Sequence, residues 1–277
     1  MTSSEIITLE GQPISYQTSD DELDARQPHA ISGHVTMSRA LAESAHGLTL
    51  NEARVMMLAM RCVNPRSSPY QYAKPTSYVK VQVHAADFAK IANLMPDEQG
   101  YTNRAAYEGL KTACDKLLDR MAVWHEGPKL HKMRWVYKAT YHSKEAWAEI
   151  SFSPELTPHI FMLGEKFVRY RLEFARGLKS LYSSNLLRLL MTQKDTLFKS
   201  INLEDYRKQM EVPEGYKYAD IKRYAIVKPV AELNEKADMH IEWKETKRGR
   251  SVHSLQFTFT FVKKEKAVQT ELDLSND

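Results

Sequence analysis

Cysteine is almost missing: the 277 residues hold two, Cys62 and Cys114. Two are too few for a disulfide framework and stand too far apart for a CxxC element, so a reducing cytoplasm is the expected home. Long apolar runs are missing as well, none approaching the ~18 residues of a membrane span. The stretch from Met1 to Asp24 is polar and acidic, without the basic and apolar regions of a secretory signal. No GxxxxGK[ST] cradle for a nucleotide triphosphate occurs, which sets aside an ATPase or helicase. Among ten histidines no His-x-His or HExxH pair exists, which removes the common platforms for a metal. The lone Ser-x-x-Lys match, Ser77 to Lys80, falls on a strand pattern and reads as accidental, and Asp20-Asp21-Glu22 reads as a solvated acidic arm. No catalytic residue, metal or cofactor is therefore expected.

What remains is a composition of 43% hydrophobic, 27% charged and 10% aromatic residues, enough chain for one large or two ordinary folded domains. The net charge of +4 hides an uneven distribution. Residues 1–34 carry −5 and residues 265–277 carry −3, while residues 35–153 carry +5 and residues 154–264 carry +7. A basic body between acidic ends suits a polyanion partner, since Lys and Arg gain affinity by displacing counterions from phosphates. A lysine-rich solvated surface is the plain alternative.

The hydrophobic pattern runs through one order twice. In residues 35–153, Thr49-Leu50-Asn51-Glu52 is a Thr-x-x-Glu capping box, and Ala53, Met56, Met57 and Met60 follow at helical spacing. A Pro/Ser loop over 64–75 leads to a strand in which Val79, Val81 and Val83 alternate with polar residues. Helices are predicted over 85–94 and from about Thr102, the second with Tyr107, Leu110, Cys114, Leu117, Leu118 and Met121 inward and Asn103, Arg104 and Lys111 outward. Strands follow at 122–125, through Trp135, Tyr137, Ala139 and Tyr141, and through Ala148, Ile150 and Phe152. The aromatic set with Trp124 and Trp147 reads as core packing, or alternatively as a stacking platform for bases. His125, His131 and His142 read as packing or surface residues.

After a Pro-marked joint at 153–158 the second copy spans 154–264. Residues 167–174 read as extended, and 180–194 as a helix with Leu187, Leu190 and Met191 inward. Asn202 caps a short helix carrying Leu203, Tyr206 and Met210. A helix over about 218–234 has Lys217, Tyr218, Lys222 and Arg223 at its start and buries Ile226, Val230 and Leu233, with Pro229 expected to kink or end it. Strands over 239–244 and 251–262 flank Lys247-Arg248-Gly249-Arg250, a hairpin with a cationic tip. Helix, strand, helix, helix, strands is the order of a winged helix-turn-helix, so the expected fold is α+β with two tandem copies. A helix presented N-terminus first to the major groove brings its dipole and first-turn side chains to phosphates and base edges, while a basic hairpin grips the neighbouring backbone. Any one of these helices alone reads equally as an ordinary amphipathic surface helix.

Several stretches resemble the iteron-binding plasmid replication initiator (Rep) family, of the F-plasmid type with two winged-helix domains. They include Leu48-Thr49-Leu50-Asn51-Glu52-Ala53-Arg54, Val81-Gln82-Val83-His84-Ala85-Ala86-Asp87-Phe88, Ile150-Ser151-Phe152-Ser153-Pro154 and Phe167-Val168-Arg169-Tyr170-Arg171-Leu172. Further along come Ser180-Leu181-Tyr182-Ser183, Tyr218-Ala219-Asp220-Ile221-Lys222-Arg223, Ala231-Glu232-Leu233-Asn234 and the Lys247 to Arg250 tip running into Leu255-Gln256-Phe257-Thr258-Phe259. The resemblance implies that the second domain reads direct repeats of double-stranded origin DNA through the helix carrying Lys222 and Arg223. It implies that the first adds phosphate contacts around Arg104 and Lys111 and self-associates. It further implies a dimer that binds an operator inverted repeat and represses its own gene, and a monomer that opens the origin and recruits host initiator and helicase.

The acidic tail adds Gln269-Thr270-Glu271-Leu272-Asp273-Leu274. Gln269, Leu272 and Leu274 are similar to peptides that dock on the bacterial polymerase sliding clamp; a solubilising tail is the other reading. Outside this family, a winged-helix repressor without a replication role and a nicking enzyme with an unrecognised site are the rivals.

Overall fold

The computed structural model describes residues 6–7, 33–61, 78–95, 103–160 and 167–262. The first unit contains β1 (Ile6–Ile7), β2 (His34–Ser38), α1 (Arg39–Ala42), α2 (Leu50–Arg61), β3 (Tyr78–His84), α3 (Ala85–Ala92) and α4 (Asn103–Leu117). Four strands follow: β4 (Met121–Glu126), β5 (Lys129–Arg134), β6 (Val136–His142) and β7 (Trp147–Phe152). After the short α5 (Thr157–Ile160) come β8 (Phe167–Arg171), α6 (Leu181–Met191), β9 (Phe198–Asn202) and α7 (Leu203–Gln209). The chain closes with α8 (Tyr218–Asp220), a π-helical stretch (Ile221–Val227), α9 (Lys228–Lys236), β10 (Met239–Arg248) and β11 (Ser251–Phe261).

Two sheets repeat one topology. In the second unit the order is β10-β11-β9, and in the first β6 and β7 stand beside β3 in the order β3-β7-β6, so in both the last strand lies between the other two. The first unit differs by β4 and β5, a separate two-stranded ribbon between α4 and β6 in the chain. β5 went unseen in the sequence because its residues, Lys-Leu-His-Lys-Met-Arg, are exposed or half-buried throughout and bury no alternate face.

Side-chain caps start α2, α6 and α7, whereas the sequence pattern predicts neither α1 (Arg39–Ala42) nor α5 (Thr157–Ile160). The Thr49 N–H donates to Glu52 Oε2 at 2.9 Å and the Glu52 N–H to Thr49 Oγ1 at 3.5 Å, the reciprocal capping box. Glu52 does double duty: it is buried, and Arg120 at the end of α4 donates to both its oxygens, at 2.8 and 3.2 Å. Burial pushes this carboxyl up, but the Arg120 and Thr49 hydrogen bonds outweigh it and hold it below its ordinary range. Asn202 Oδ1 accepts from the Asp205 N–H, the expected cap, and Ser180 Oγ caps α6 by accepting from the Tyr182 N–H. The extended reading of 167–174 is corrected at its end, where Leu172–Ala175 winds into a 3-10 turn.

One apolar core runs from the first unit into the second. β2 pairs antiparallel with β8, joining residues more than a hundred positions apart across the segment taken as the joint. α6 packs on α2 on one side and α9 on the other. The polar contacts across this seam are specific. Glu211, held at φ 55° after α7, accepts the His46 and Gly47 N–H groups at 2.9 Å each. Arg188 of α6, buried, donates to the Ala42 and Ser44 carbonyls at 3.0 and 2.8 Å and faces His46 Nε2 at 2.6 Å, a nitrogen that also lies 2.8 Å from the Leu41 carbonyl.

Burial first, and the facing Arg188 second, keep His46 neutral, its imidazole held well below the ordinary value near 6.5. In the unfolded chain it takes a proton near pH 6.5, so the unfolded state binds more protons below that pH, and stability present above it is lost as the pH falls. The unfolding free energy should drop by about 1.4 kcal/mol per pH unit below pH ~6. Urea denaturation at pH 7, 6 and 5 checks this, and His46→Gln should remove most of the slope; an equal slope in that variant would assign it elsewhere. Glu52 and Glu232, both held below the ordinary carboxylate range, titrate lower and leave this window clear.

No helix among the described residues is long and apolar enough to cross a membrane.

Candidate nucleic-acid interface

The helix from Tyr218 to Lys236 is held from behind by its buried stripe: Ile221, Ala225, Ile226, Val230 and Leu233. At its C-terminal end the Asn234 side chain pairs with both backbone groups of Ile241 on β10, at 2.7 and 3.1 Å. Glu232 accepts from the Lys179 N–H and the Ser183 hydroxyl, tying the helix to the start of α6. Its front is left to solvent, where Lys222, Arg223 and Lys228 are exposed beside the small apolar Ala219, Val227 and Ala231. Val227, exposed at 45%, and Lys228 were missed in the sequence, because an apolar residue inside a helix reads as core by default.

Of the two effects expected of Pro229, it does not end the helix, which continues through it to Lys236. The seven residues Ile221–Val227 widen into a π-helix, closed by the Lys228 N–H reaching back to the Arg223 carbonyl, and Pro229 sits in the first turn of α9. The carbonyl that residue 229 would engage in an α-helix, that of Ala225, takes the buried Tyr206 hydroxyl instead at 2.6 Å.

β10 and β11 extend beyond the core as a wing. Arg248 pairs with Ser251, leaving a two-residue loop of Gly249 and Arg250, and Gly249 takes φ 63°. Positive φ at the first loop position is the reason a glycine stands there. Lys247, Arg248 and Arg250 are exposed at this tip. Wing and helix are bonded to each other: Glu245 accepts from the Tyr218 hydroxyl and pairs with Lys222 Nζ at 3.3 Å, while that ammonium lies 5.4 Å over the Trp243 ring. The Tyr218 and Lys222 contacts hold the Glu245 carboxyl below its ordinary range. Lys217 precedes the helix, its N–H donating to Asp220.

The structure thus brings Lys217, Tyr218, Lys222, Arg223, Lys247, Arg248 and Arg250 onto one helix and the wing bonded to it. The other three predicted residues lie in the first unit: Asn103 opens α4, Arg104 is exposed in its first turn, and Lys111 lies 5.9 Å over the Tyr141 ring of β6. The exposed Lys129 and Lys132 of β5 add charge there that sequence reasoning passed over. Cys114 is buried, which pushes its thiol up to about 12, and Trp135 is buried with its indole N–H on the His46 carbonyl. His142 stacks on Trp147 at 3.5 Å. Cys62, Ser77, the acidic arm, and Gln269, Leu272 and Leu274 lie outside the described residues. Among the described residues no cluster of three or more His, Cys, Asp or Glu could hold a metal.

Residues 34–191 match the family description "Initiator Replication protein, WH1", and residues 202–259 match "Initiator Rep protein, WH2". The chain belongs to the initiator replication protein family. Its two matched segments are two winged-helix domains, WH1 and WH2, the second spanning α7, the helix and nearly all of the wing just described. The fold is that of a solved Pi initiator protein in complex with iteron DNA, similar at a TM-score of 0.68 over 84% of this chain and 98% of that one, with 19% identity. The WH1 domain of a replication protein isolated from a multiple sclerosis patient is 27% identical over 40% of this chain and 77% of that chain, at a TM-score of 0.28.

Proposed function

We propose that this chain is a non-catalytic plasmid replication initiator that binds direct repeats of double-stranded DNA at its origin. As a monomer it opens the neighbouring duplex and recruits host replication proteins, and as a dimer on an inverted repeat it represses its own gene. The observation that carries the reading is the WH2 face, where a π-distorted helix and the wing bonded to it present six of the cations named above around exposed small apolar side chains. Cations there suit phosphates and guanine edges, and Val227 suits a thymine methyl group. The Pi initiator, solved with iteron DNA, has the same two-domain fold. Two domains on successive groove segments give a footprint of roughly 20 bp.

The test is a binding titration of direct-repeat DNA against scrambled DNA at two salt concentrations. Replacing Arg223 by Ala should weaken repeat binding about tenfold or more and relax specificity, as loss of a base contact does. Replacing Arg248 and Arg250 should weaken binding to both DNAs alike and flatten the salt dependence. Repeat binding that survives Arg223→Ala with unchanged specificity sinks the assignment of this helix. Supercoiled origin DNA incubated with the protein and divalent metal should stay supercoiled, and a plasmid carrying only this gene and its repeats should replicate.

A further inference from the structure

Carboxylates are repelled by a phosphate backbone, yet one stands at the centre of the WH2 face. Along β10 the side chains alternate: Met239 and Ile241 are buried, and Trp243 and Glu245 continue the same side of the strand past the edge of the core, toward the α8 helix start. Glu245 there accepts the Tyr218 hydroxyl, pairs with Lys222 at 3.3 Å, and has Lys247 Nζ at 3.7 Å from its other oxygen. Its three partners are residues of the proposed DNA face, drawn from both helix and wing.

We propose that Glu245 is a positioning residue that raises sequence discrimination: it occupies the place of a backbone phosphate among these cations and holds Lys222 and Tyr218 in register with base edges. The inference rests on the DNA-binding reading above. In a non-specific complex Lys222 reaches a phosphate only by leaving Glu245 and the Trp243 ring, so that contact is weakened. In the repeat complex Lys222 and Tyr218 stay where Glu245 puts them, and the pair is kept. The carboxylate therefore lowers affinity for random DNA more than affinity for the repeat, which widens the ratio between them.

The experiment compares the full-length protein, Glu245→Gln, Tyr218→Phe and Glu242→Gln on direct-repeat and scrambled duplexes across a salt series. Glu242 is on the same strand, exposed and pointing to the opposite side, so its variant reports the effect of charge alone. Glu245→Gln should bind scrambled DNA about fivefold more tightly near 0.1 M salt and steepen its log–log salt slope by about 0.9, the value of one more phosphate contact. Its repeat binding should gain less than about twofold, so the ratio falls. Tyr218→Phe keeps the charge and should lower the ratio through weaker repeat binding, with the scrambled-DNA slope unchanged. A Glu245→Gln protein that gains equally on both DNAs, as Glu242→Gln is expected to, overturns the inference while leaving the repeat-binding reading intact. A wild-type protein with no preference for repeats overturns both.

Discussion

Replacing Arg188 by methionine is expected to destabilise the chain by about 2–5 kcal/mol, read as a fall in the urea midpoint. The reason lies in what the guanidinium serves. Arg188 is 5% exposed, and its Nη1 group donates to the Ala42 and Ser44 carbonyls and faces His46 Nε2, while its Nη2 group donates to Asn185. Burial lowers its pKa to about 10, which still leaves it charged at neutral pH. Methionine fills much of the volume but leaves two buried carbonyls of the 41–46 turn without their donor, at about 1–3 kcal/mol each. Part of this is returned because no charge has to be buried. The variant should lose only part of the low-pH sensitivity assigned to His46, because burial is the first cause of its depressed pKa and the facing Arg188 only the second. A midpoint within error of the wild type would mean that water reaches those carbonyls and that α6 is held against the 41–46 turn by apolar packing alone.

Arg188 also shows where sequence reading stops. The helix over 180–194 and its inward Leu187, Leu190 and Met191 were legible from the 3.6-residue period, and all three are buried. The same period says nothing about a cation that turns inward to meet carbonyls 144 and 146 positions away. Long-range pairing was invisible for the same reason: β2 and β8 carry no local signal of each other, and β9, five residues long, has a lysine at one of its two buried positions. Local chemistry was readable throughout. The Thr49-x-x-Glu52 box, the Asn202 cap, the valine alternation of β3 and the glycine at the wing tip each follow from a rule spanning four residues or fewer. The cations of the WH2 face were legible as a cluster, whereas Glu245 was not, because a lone glutamate on a wing strand reads as solubility. Its role needs the distance to Tyr218, a helix away.

Pro229 is the position where a local rule misled, and it carries the second large prediction. In an α-helix residue 229 would donate to the Ala225 carbonyl; proline has no N–H to give. The chain answers twice, with the π-helical stretch over Ile221–Val227 and with the Tyr206 hydroxyl, buried in α7, donating to that carbonyl at 2.6 Å. Tyr206→Phe should therefore cost about 1–3 kcal/mol, the value of a stranded buried acceptor, although it removes one oxygen from a fully buried ring. In a Pro229→Ala background the restored N–H can serve Ala225, so the same substitution should cost at least ~1 kcal/mol less, and a double-mutant cycle isolates that coupling from the small cavity left by the proline. Equal costs in the two backgrounds would show that the hydroxyl is not replacing the proline's missing donor. The same pair bears on function, because a π-turn holds one residue more than an α-turn and so rotates everything before it by about 100° relative to the buried stripe behind it. If Pro229→Ala lets the segment relax to an α-helix, Lys222 and Arg223 swing away from the front of WH2 and the buried Ile221 turns with them, so repeat binding and stability should fall together. Tyr206 and Pro229 then determine the direction in which the cations of this helix face.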